Sequence, residues 1–542
     1  MRCSFTCKGI VFGLIVVSTH VIGQNELLSD QYHTPQEVAL RIEQWQEEYP
    51  DLIRLIPIGQ SAGGHPLTVL QVGFQGTYGE TPEFRPAVFF GANLCGDEHL
   101  GTEEVLFLVN DLIRTYKTDP NVYQLLEKST IYVLPVMNPD AAEQFFSSPR
   151  YVRHVNGTPV DDDKDGRFDE DGPEDINNDG LISWMRIADQ EGGWIIHPDV
   201  DRSMRRVIRD DTTANRYRII LEGIDNDKDQ RVNEDPPGGI RLDLNFPHIT
   251  EYGRDDIGTW PASAPETLAL IKFFADHPNI TVVISFSSNK EEDIKYNKLS
   301  EAAPQLKQID EKDDRTLFIE IYDLYHQFLR QNALVKESQD SIKLTVINGT
   351  FFDFCYFRYG IPYFELPSLI EETTDTQHSD LTEWTAYQHP TMGKVEIGGP
   401  VPFLRTNPKL TDESVRRSIQ INSAFCTQLI QNLPFVNMDH RVVFLGDSLY
   451  QLTVRLTNSG WFPTSTVLGR KLNASWPVIA RIRPSREQML YAGEPFEEIP
   501  VIAANNGIAQ VVWKVKAISG SQVTVTATAI KIGNIKKTIK LR

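Results

Sequence analysis

Apolar and polar residues alternate with three different periods along the chain. From Thr34 to Tyr49 apolar residues recur at helical spacing behind a Thr-Pro pair, which predicts an amphipathic helix opened by a threonine cap. Apolar runs at Leu52–Ile58, Leu67–Val72, Pro86–Phe90 and Ser129–Met137 predict strands, and Val105–Tyr116 has helical spacing. Strands alternating with helices predict an α/β sheet covered by helices on both faces. The rhythm returns after Pro247, with a helix over Pro265–Ala275, a strand over Ile280–Phe286 and a helix over Arg315–Gln331. From about Val436 the period becomes two. Tyr450–Thr457, Val511–Lys516 and Val523–Thr528 alternate between Asn, Ser and Gly turns, which predicts a small β-sandwich with no evident chemistry. The domain boundaries expected from this are 24–432 for the α/β part and 436–542 for the sandwich.

Residues 145–238 interrupt the first pattern with an acidic insertion. Asp161-Asp-Asp-Lys-Asp-Gly-Arg-Phe-Asp-Glu-Asp171 recurs 64 positions later as Asp225-Asn-Asp-Lys-Asp-Gln-Arg-Val-Asn-Glu-Asp235, and Asp175-Ile-Asn-Asn-Asp-Gly-Leu-Ile182 lies between them. Each places oxygen side chains at positions 1, 3 and 5 of a tight loop: Asp161, Asp163 and Asp165; Asp175, Asn177 and Asp179; Asp225, Asp227 and Asp229. That is the spacing by which a loop wraps Ca²⁺. None has a glutamate at position 12, so none is a complete EF-hand. Structural calcium is one reading, since several carboxylates in one loop otherwise repel. Solvated Asp-rich turns are the other.

Composition narrows the function classes. Apolar residues make up 40% of the 542, ordinary for a globular chain of several domains. A net charge of −21 argues against nucleic acid or an anionic membrane as partner. Arg2 and Lys8, followed by an apolar run from Gly9 to Ser18 and small residues up to Gly23, read as a secretory signal over residues 1–23. No run is long enough to span a bilayer, so a secreted or periplasmic protein is expected. Removal of the signal leaves Cys95, Cys355 and Cys426, too few for a disulfide framework.

The stretch Phe89-Phe-Gly-Ala-Asn-Leu-Cys-Gly-Asp-Glu-His-Leu-Gly-Thr-Glu-Glu104 follows a strand and leads into a helix. In this it resembles the segment by which the zinc carboxypeptidases, the carboxypeptidase A and B type metallopeptidases, supply their first two metal ligands. Asn138-Pro-Asp140, Gly360-Ile-Pro-Tyr-Phe-Glu-Leu-Pro367 and His389–Gly399 resemble further segments of bacterial members, so the likeness spans roughly residues 30 to 430. The resemblance implies a mixed central sheet, a zinc-dependent hydrolase and a peptide substrate. It also implies roles by position. Cys95 stands where the family has its first histidine ligand, Glu98 matches the second ligand, and Ser287 stands at the third. Glu365 matches the general base, and Tyr356 the tyrosine that closes over substrate. Aligned on Asn245-Phe-Pro247, Asp243 and Leu244 replace the Asn-Arg pair that holds the substrate carboxylate. Arg153 and Arg186 are the candidates for the oxyanion arginine. His99, one residue beyond Glu98, points about 100° away around a helix and is expected to face solvent or stand behind the ligands.

A catalytic zinc needs three protein ligands and an open position. A thiolate is a good ligand and a neutral serine hydroxyl a poor one. The leading expectation is therefore an exported, catalytically degenerate carboxypeptidase-like protein that binds peptides or peptidoglycan-derived fragments. Two alternatives stay open: an active metallocarboxypeptidase with an altered ligand set, and a calcium-stabilised structural or adhesive protein.

Overall fold

The computed structural model describes residues 30–76, 81–96, 98–150, 153–161, 166–209, 215–226, 228, 231–248, 255–287, 309–332, 350–367, 381–401 and 409–542. The expected signal over 1–23, and Asp163, Asp165, Asp227 and Asp229, lie outside them, as does the Ser287 side chain. Three groups of strands emerge.

The first sheet is built from β1 (Ile53–Gln60), β2 (Pro66–Val72), β3 (Ala87–Gly91) and β4 (Thr130–Leu134), joined later by two more strands. Between β4 and those strands the chain forms β5 (Trp184–Ala188), β6 (Trp194–Ile196), β7 (Met204–Arg206) and β8 (Tyr217–Leu221). It then returns to the first sheet with β9 (Ile280–Ser287) and β10 (Tyr363–Pro367). The order β1-β2-β4-β3-β9-β10 is parallel from β4 to β10 and antiparallel at the β1-β2-β4 edge, so the sheet is mixed.

Helices are α1 (Pro35–Glu48), α2 (Leu100–Thr115), α3 (Pro120–Lys128), α4 (Pro139–Phe146), α5 (Pro265–Asp276), α6 (Lys312–Gln331), α7 (Phe351–Tyr359) and α8 (Glu413–Gln431). Neighbouring residues of a strand face opposite sides, and β3 shows both sides covered. Phe89 packs against Phe273 and Phe274 of α5 and Phe351 of α7. Phe90 stacks on Phe286. There α2 approaches so closely that a Cβ on Gly101 would lie 2.8 Å from Cβ of Phe286, so only glycine fits. Both-face burial explains why β3 and β4 are buried throughout and mostly apolar rather than alternating.

Local signals match the sequence. Thr34 caps α1 in a box with Glu37. Beside it, His33 Nδ1 lies 2.9 Å from the buried Glu103 carboxylate of α2. Its hydrogen bond to Glu103 raises the His33 pKa, against the opposing effect of burial. A histidine whose pKa rises on folding adds stability below its unfolded value of about 6.5 and loses it as pH climbs through the folded value. Thermal unfolding should therefore occur at lower temperature as pH is raised from about 6.5, and His33→Gln should flatten that slope. An unchanged slope in the variant would remove His33 as its source.

The acidic insertion does more than carry turns. Strands β5 to β8 join the hairpin of β11 (Leu381–His389) and β12 (Gly393–Pro400) in a second sheet, ordered β11-β12-β5-β8-β6-β7, with β12 antiparallel to β5.

From Val436 onward the chain forms β13 (Val436–Gly446), β14 (Leu449–Asn458), a short helix α9 (Val467–Lys471), β15 (Val478–Arg483), β16 (Met489–Ala492), β17 (Phe496–Ile499), β18 (Gly507–Lys516), β19 (Gln522–Ala529) and β20 (Gly533–Lys540). Two antiparallel four-stranded sheets, β13-β14-β18-β16 and β17-β15-β19-β20, enclose a core around Trp513, Val454 and Val525. This is the expected sandwich. Its α9 meets the first part of the chain: the buried Asp314 carboxylate of α6 accepts the backbone N–H of Val467 at 2.7 Å and of Leu468 at 2.9 Å, and the Tyr356 hydroxyl at 3.0 Å. Among the described residues no helix is long and apolar enough to cross a membrane.

Candidate functional site

The carboxyl ends of β3, β9 and β10 form one edge, where ligands gather in open α/β sheets. The turn after β3 is held by Asn93, which adopts φ 58°, and whose amide donates to the carbonyls of Gly96 at 3.4 Å and Glu98 at 3.2 Å. Gly96 follows at φ 81°, and a Cβ there would lie 2.4 Å from Ala141 and 2.8 Å from the Arg153 carbonyl. The turn is thus clamped between α4 and the segment carrying Arg153. α2 begins only at Leu100, with His99 as its cap. Cys95 and Glu98 therefore both lie in the turn, ahead of the helix. Cys95 is half-buried and Glu98 buried.

On the neighbouring strands, Glu365 of β10 is in register with Ser285 of β9, and Ser287 with Pro367. Glu365 is exposed. Tyr363, two residues earlier and so on the same face, is buried. Burial raises its pKa well above the ordinary tyrosine value, with the charges of Glu365, Cys355 and Cys95 adding and a hydrogen bond from Ser285 opposing. Cys95, Ser285, Tyr363 and Glu365 thus belong to one electrostatic neighbourhood.

A cation completes it. Arg241 grips Asp243 with Nε–Oδ1 at 3.1 Å and Nη2–Oδ2 at 2.6 Å. Burial disfavours its charge, but Asp243 outweighs burial, and Cys95 and Asp256 add to the rise in its pKa. Arg241 was not among the residues singled out from the sequence; its place two residues before Asp243 in Gly239-Ile-Arg-Leu-Asp243 was the available signal. Arg153 also comes close, donating to the carbonyls of Asn156 at 3.1 Å and of Gly238. The Arg153 loop is fixed from behind. Asn156 donates to Glu266 at 2.9 Å and accepts from Ile240 N–H at 2.9 Å, while Asp140 accepts from Gly157 N–H at 2.7 Å.

Several residues named from the sequence take other places in this geometry. Asn245 is 1% exposed, and its amide is spent on the carbonyls of Ile257 and Trp260, on Ser263 and on Ala264 N–H, so it pins a loop and cannot reach a ligand. Tyr356 is 1% exposed with its hydroxyl on Asp314; burial and then that carboxylate raise its pKa, which makes it a fixed core residue and not a closing one. Arg186 belongs to the second sheet, where it bonds Glu396 at 2.8 Å and lies over the rings of Trp384 at 4.3 Å and Tyr217 at 5.3 Å. A surface hollow of about 530 Å³ lies there, lined by Arg186, Tyr217 and Glu396, away from the Cys95 edge. His99 does not face solvent: it is buried against Phe145 and Phe146. Leu244, at the position of the lost arginine, is core.

At this edge Cys95 and Glu98 are the two candidate donors among the described residues, and the one grouping of three metal-capable side chains among those residues lies elsewhere, at Asp175, Asp179 and Glu222, whose ligand atoms are within 4.8 Å of one another. Glu222 is fully buried, accepting from the Ser183 N–H and hydroxyl. Burial raises its pKa, and Asp179 and Asp175 push it further. Asn177 ties to Asp179 at 2.9 Å. In the flanking loops Asp161 accepts from Gly166 N–H and Asp225 from Lys228 N–H, each closing its own turn.

Residues 40–170 match the family model described as zinc carboxypeptidase, and residues 437–540 match one described only as a domain of unknown function. A zinc carboxypeptidase of Saccharothrix mutabilis subsp. capreolus is 31% identical over 137 residues, covering 24% of this chain and 31% of that protein. Carboxypeptidase E of Caenorhabditis elegans is 32% identical over 143 residues, covering 25% of this chain and 30% of that one. The chain thus matches about three tenths of the length of these relatives. The crystal structure of thrombin activatable fibrinolysis inhibitor aligns with a TM-score of 0.43 and 17% identity, over 75% of this chain and 77% of that one.

Proposed function

We propose, from the match of residues 40–170 to the zinc carboxypeptidase family model, that the chain is an exported, catalytically degenerate carboxypeptidase-like protein that binds peptides or peptidoglycan-derived peptide fragments. The observation that carries this reading is the donor set at the strand edge. A thiol and one carboxylate stand where three ligands are needed, and a serine holds the remaining position. A cation lies at this edge while the donor set is incomplete. Arg241, beside the Cys95 that replaces the first ligand, offers a guanidinium to a peptide carboxylate, in place of the arginine that Leu244 has displaced. Binding without turnover is the reading these groups support.

The test is calorimetric titration with short peptides bearing a free or an amidated C-terminus. The free form should bind, the amidated form should bind at least about tenfold more weakly, and Arg241→Gln should erase the difference. Equal affinity for both forms would sink the role of Arg241. Hydrolysis of the free form at catalytic rates would sink the degenerate reading.

A second part of the reading concerns calcium in the acidic insertion. Glu222, from a segment 43 residues beyond Asp179, supplies the buried carboxylate that the Asp175–Asp179 loop lacks at its own twelfth position. Without a cation, Glu222 holds its proton more tightly folded than unfolded, so stability should fall as pH rises above the unfolded carboxylate value. Calcium removes that cost. Millimolar Ca²⁺ should raise the unfolding temperature of chelator-treated protein by several degrees, about 2 to 3 kcal/mol at a hundredfold excess over Kd, and Glu222→Gln should abolish the rise. No shift in the parent protein would dismiss a cation there.

A further inference from the structure

We propose that the outer face of the β17-β15-β19-β20 sheet is a binding surface for a linear anionic polysaccharide. Between Val436 and Arg542 there are 14 Lys and Arg against 6 Asp and Glu, a formal charge of +8, whereas the whole chain carries −21 and the residues before Val436 therefore −29. A basic module is attached to an acidic body.

The strand register collects part of that charge on one face. Ile482, Val525 and Ile539 are buried in the sandwich, so the alternate positions of their strands point outward. Arg481 pairs with Thr526, which pairs with Lys536; Arg483 pairs with Thr524, which pairs with Thr538; and Lys540 pairs with Gln522. Arg481, Arg483, Lys536 and Lys540 are all exposed. Alternate residues lie roughly 7 Å apart along a strand and next-but-one strands roughly 10 Å apart, so Arg481 and Arg483 stand roughly 7 Å apart on β15 and Lys536 and Lys540 roughly 14 Å apart on β20, four cations on one face. Among the described residues no carboxylate comes within ion-pair distance of any of them, although the same domain pairs Lys537 with Asp439 at 3.8 Å across its edge. Four unpaired like charges on one rigid face repel, and a polyanion relieves that repulsion.

The groups between the cations select among polyanions. Threonine hydroxyls alternate with the charges and match the hydroxyls of sugar rings. At the rim, Phe496 is 47% exposed beside the Arg481 guanidinium, giving one ring for a pyranose face. Single-stranded nucleic acid uses successive aromatic platforms for its bases, and this face has one. The −29 body repels any polyanion, which confines contact to the sandwich face.

The experiment titrates the full chain against a size-defined heparin oligosaccharide, with DNA of equal charge in parallel, at low and at physiological salt. The variant R481Q/R483Q/K536Q/K540Q removes the array. The variant R441Q/R486Q/K514Q/K516Q removes the same charge from the rest of the domain. The proposal expects salt-dependent binding of the oligosaccharide, a loss of about tenfold or more in the first variant, and a loss of no more than about threefold in the second. Far-ultraviolet circular dichroism matching the parent shows that the exposed substitutions leave the fold intact. Equal losses in both variants, no binding by the parent, or tighter binding of DNA than of oligosaccharide would each overturn it. So would concentration-dependent self-association abolished by the first variant, since the occupant would then be the acidic body of a second copy.

Discussion

Rinsed with chelator and returned to zinc-containing buffer, the protein will retain about one-tenth of a zinc per chain or less, and will remove C-terminal residues from peptides no faster than buffer does. A catalytic zinc lowers the pKa of its bound water from 15.7 to about 7 and polarises the scissile carbonyl. In the role the resemblance gives it, Glu365 would accept such a water's proton, but acceptance contributes only about 10² to 10⁴ of a hydrolase's acceleration. With Cys95 and Glu98 as the surviving donors, the larger share is forfeited. Restoring one donor is insufficient: Cys95→His will stay inactive, because Ser287 and Leu244 remain. Elemental mass spectrometry with a peptide-cleavage assay decides the matter. Near one zinc per chain, with turnover that chelator abolishes, would mean that this donor set works as it stands. Turnover in Cys95→His alone would mean that the ligand positions are wrongly assigned.

Asp314→Ala will destabilise the protein by about 3 kcal/mol or more. The carboxylate is 2% exposed and takes three hydrogen bonds, from Tyr356 and from the first two amides of α9. Alanine leaves a buried hydroxyl and two amides unpaired, each costing about 1 to 3 kcal/mol, with partial relief from water at the helix end. It also removes an anion from a helix N-terminus. Because the three bonds join α6, α7 and α9, the variant should also loosen the sandwich from the rest of the chain and broaden the denaturant transition. The exposed neighbour Asp313 is the control, with Asp313→Ala within about 0.5 kcal/mol of the parent. A midpoint for Asp314→Ala within about 1 kcal/mol of the parent would show that the clamp is not needed for stability.

What the sequence made legible was what is local. Thr34 with Glu37, the period-two runs of β14, β18 and β19, and the apolar β3 and β4 all carry their structure in spacings of two to four residues. The turn of Asn93 to Glu98 was also local, down to the substitution at Cys95. The misread residues depend on partners far away in the chain. Tyr356 looks like a mobile tyrosine until Asp314, 42 residues earlier, is seen to hold it. Arg186 is claimed by Glu396, 210 residues later. Glu222 completes an acidic group that a within-loop spacing rule judged incomplete. Arg241 was hidden by the alignment on Asn245-Phe-Pro247, which drew attention to the replaced residues and away from the cation two positions before them. Burial decided Asn245, whose amide has the right chemistry for a ligand and is already spent on its own loop.

The second sheet also bears on the order in which the chain acquires its structure. Strand β5 pairs with β12 only after about 200 intervening residues have been laid down, and among the described residues those include β9, β10 and three helices. Closing so long a loop costs entropy before any pairing repays it, and topologies dominated by such contacts form slowly. The sandwich after Val436 is built from pairings of neighbouring strands such as β13 with β14 and β19 with β20, so it is set to consolidate while the second sheet is still open. In refolding, amides of β5 and β12 should therefore gain protection from hydrogen exchange after those of β14 and β19. The acidic loops, which adjoin the late sheet on the near sides of β5 and β8, would be the last part of the molecule to take their final shape.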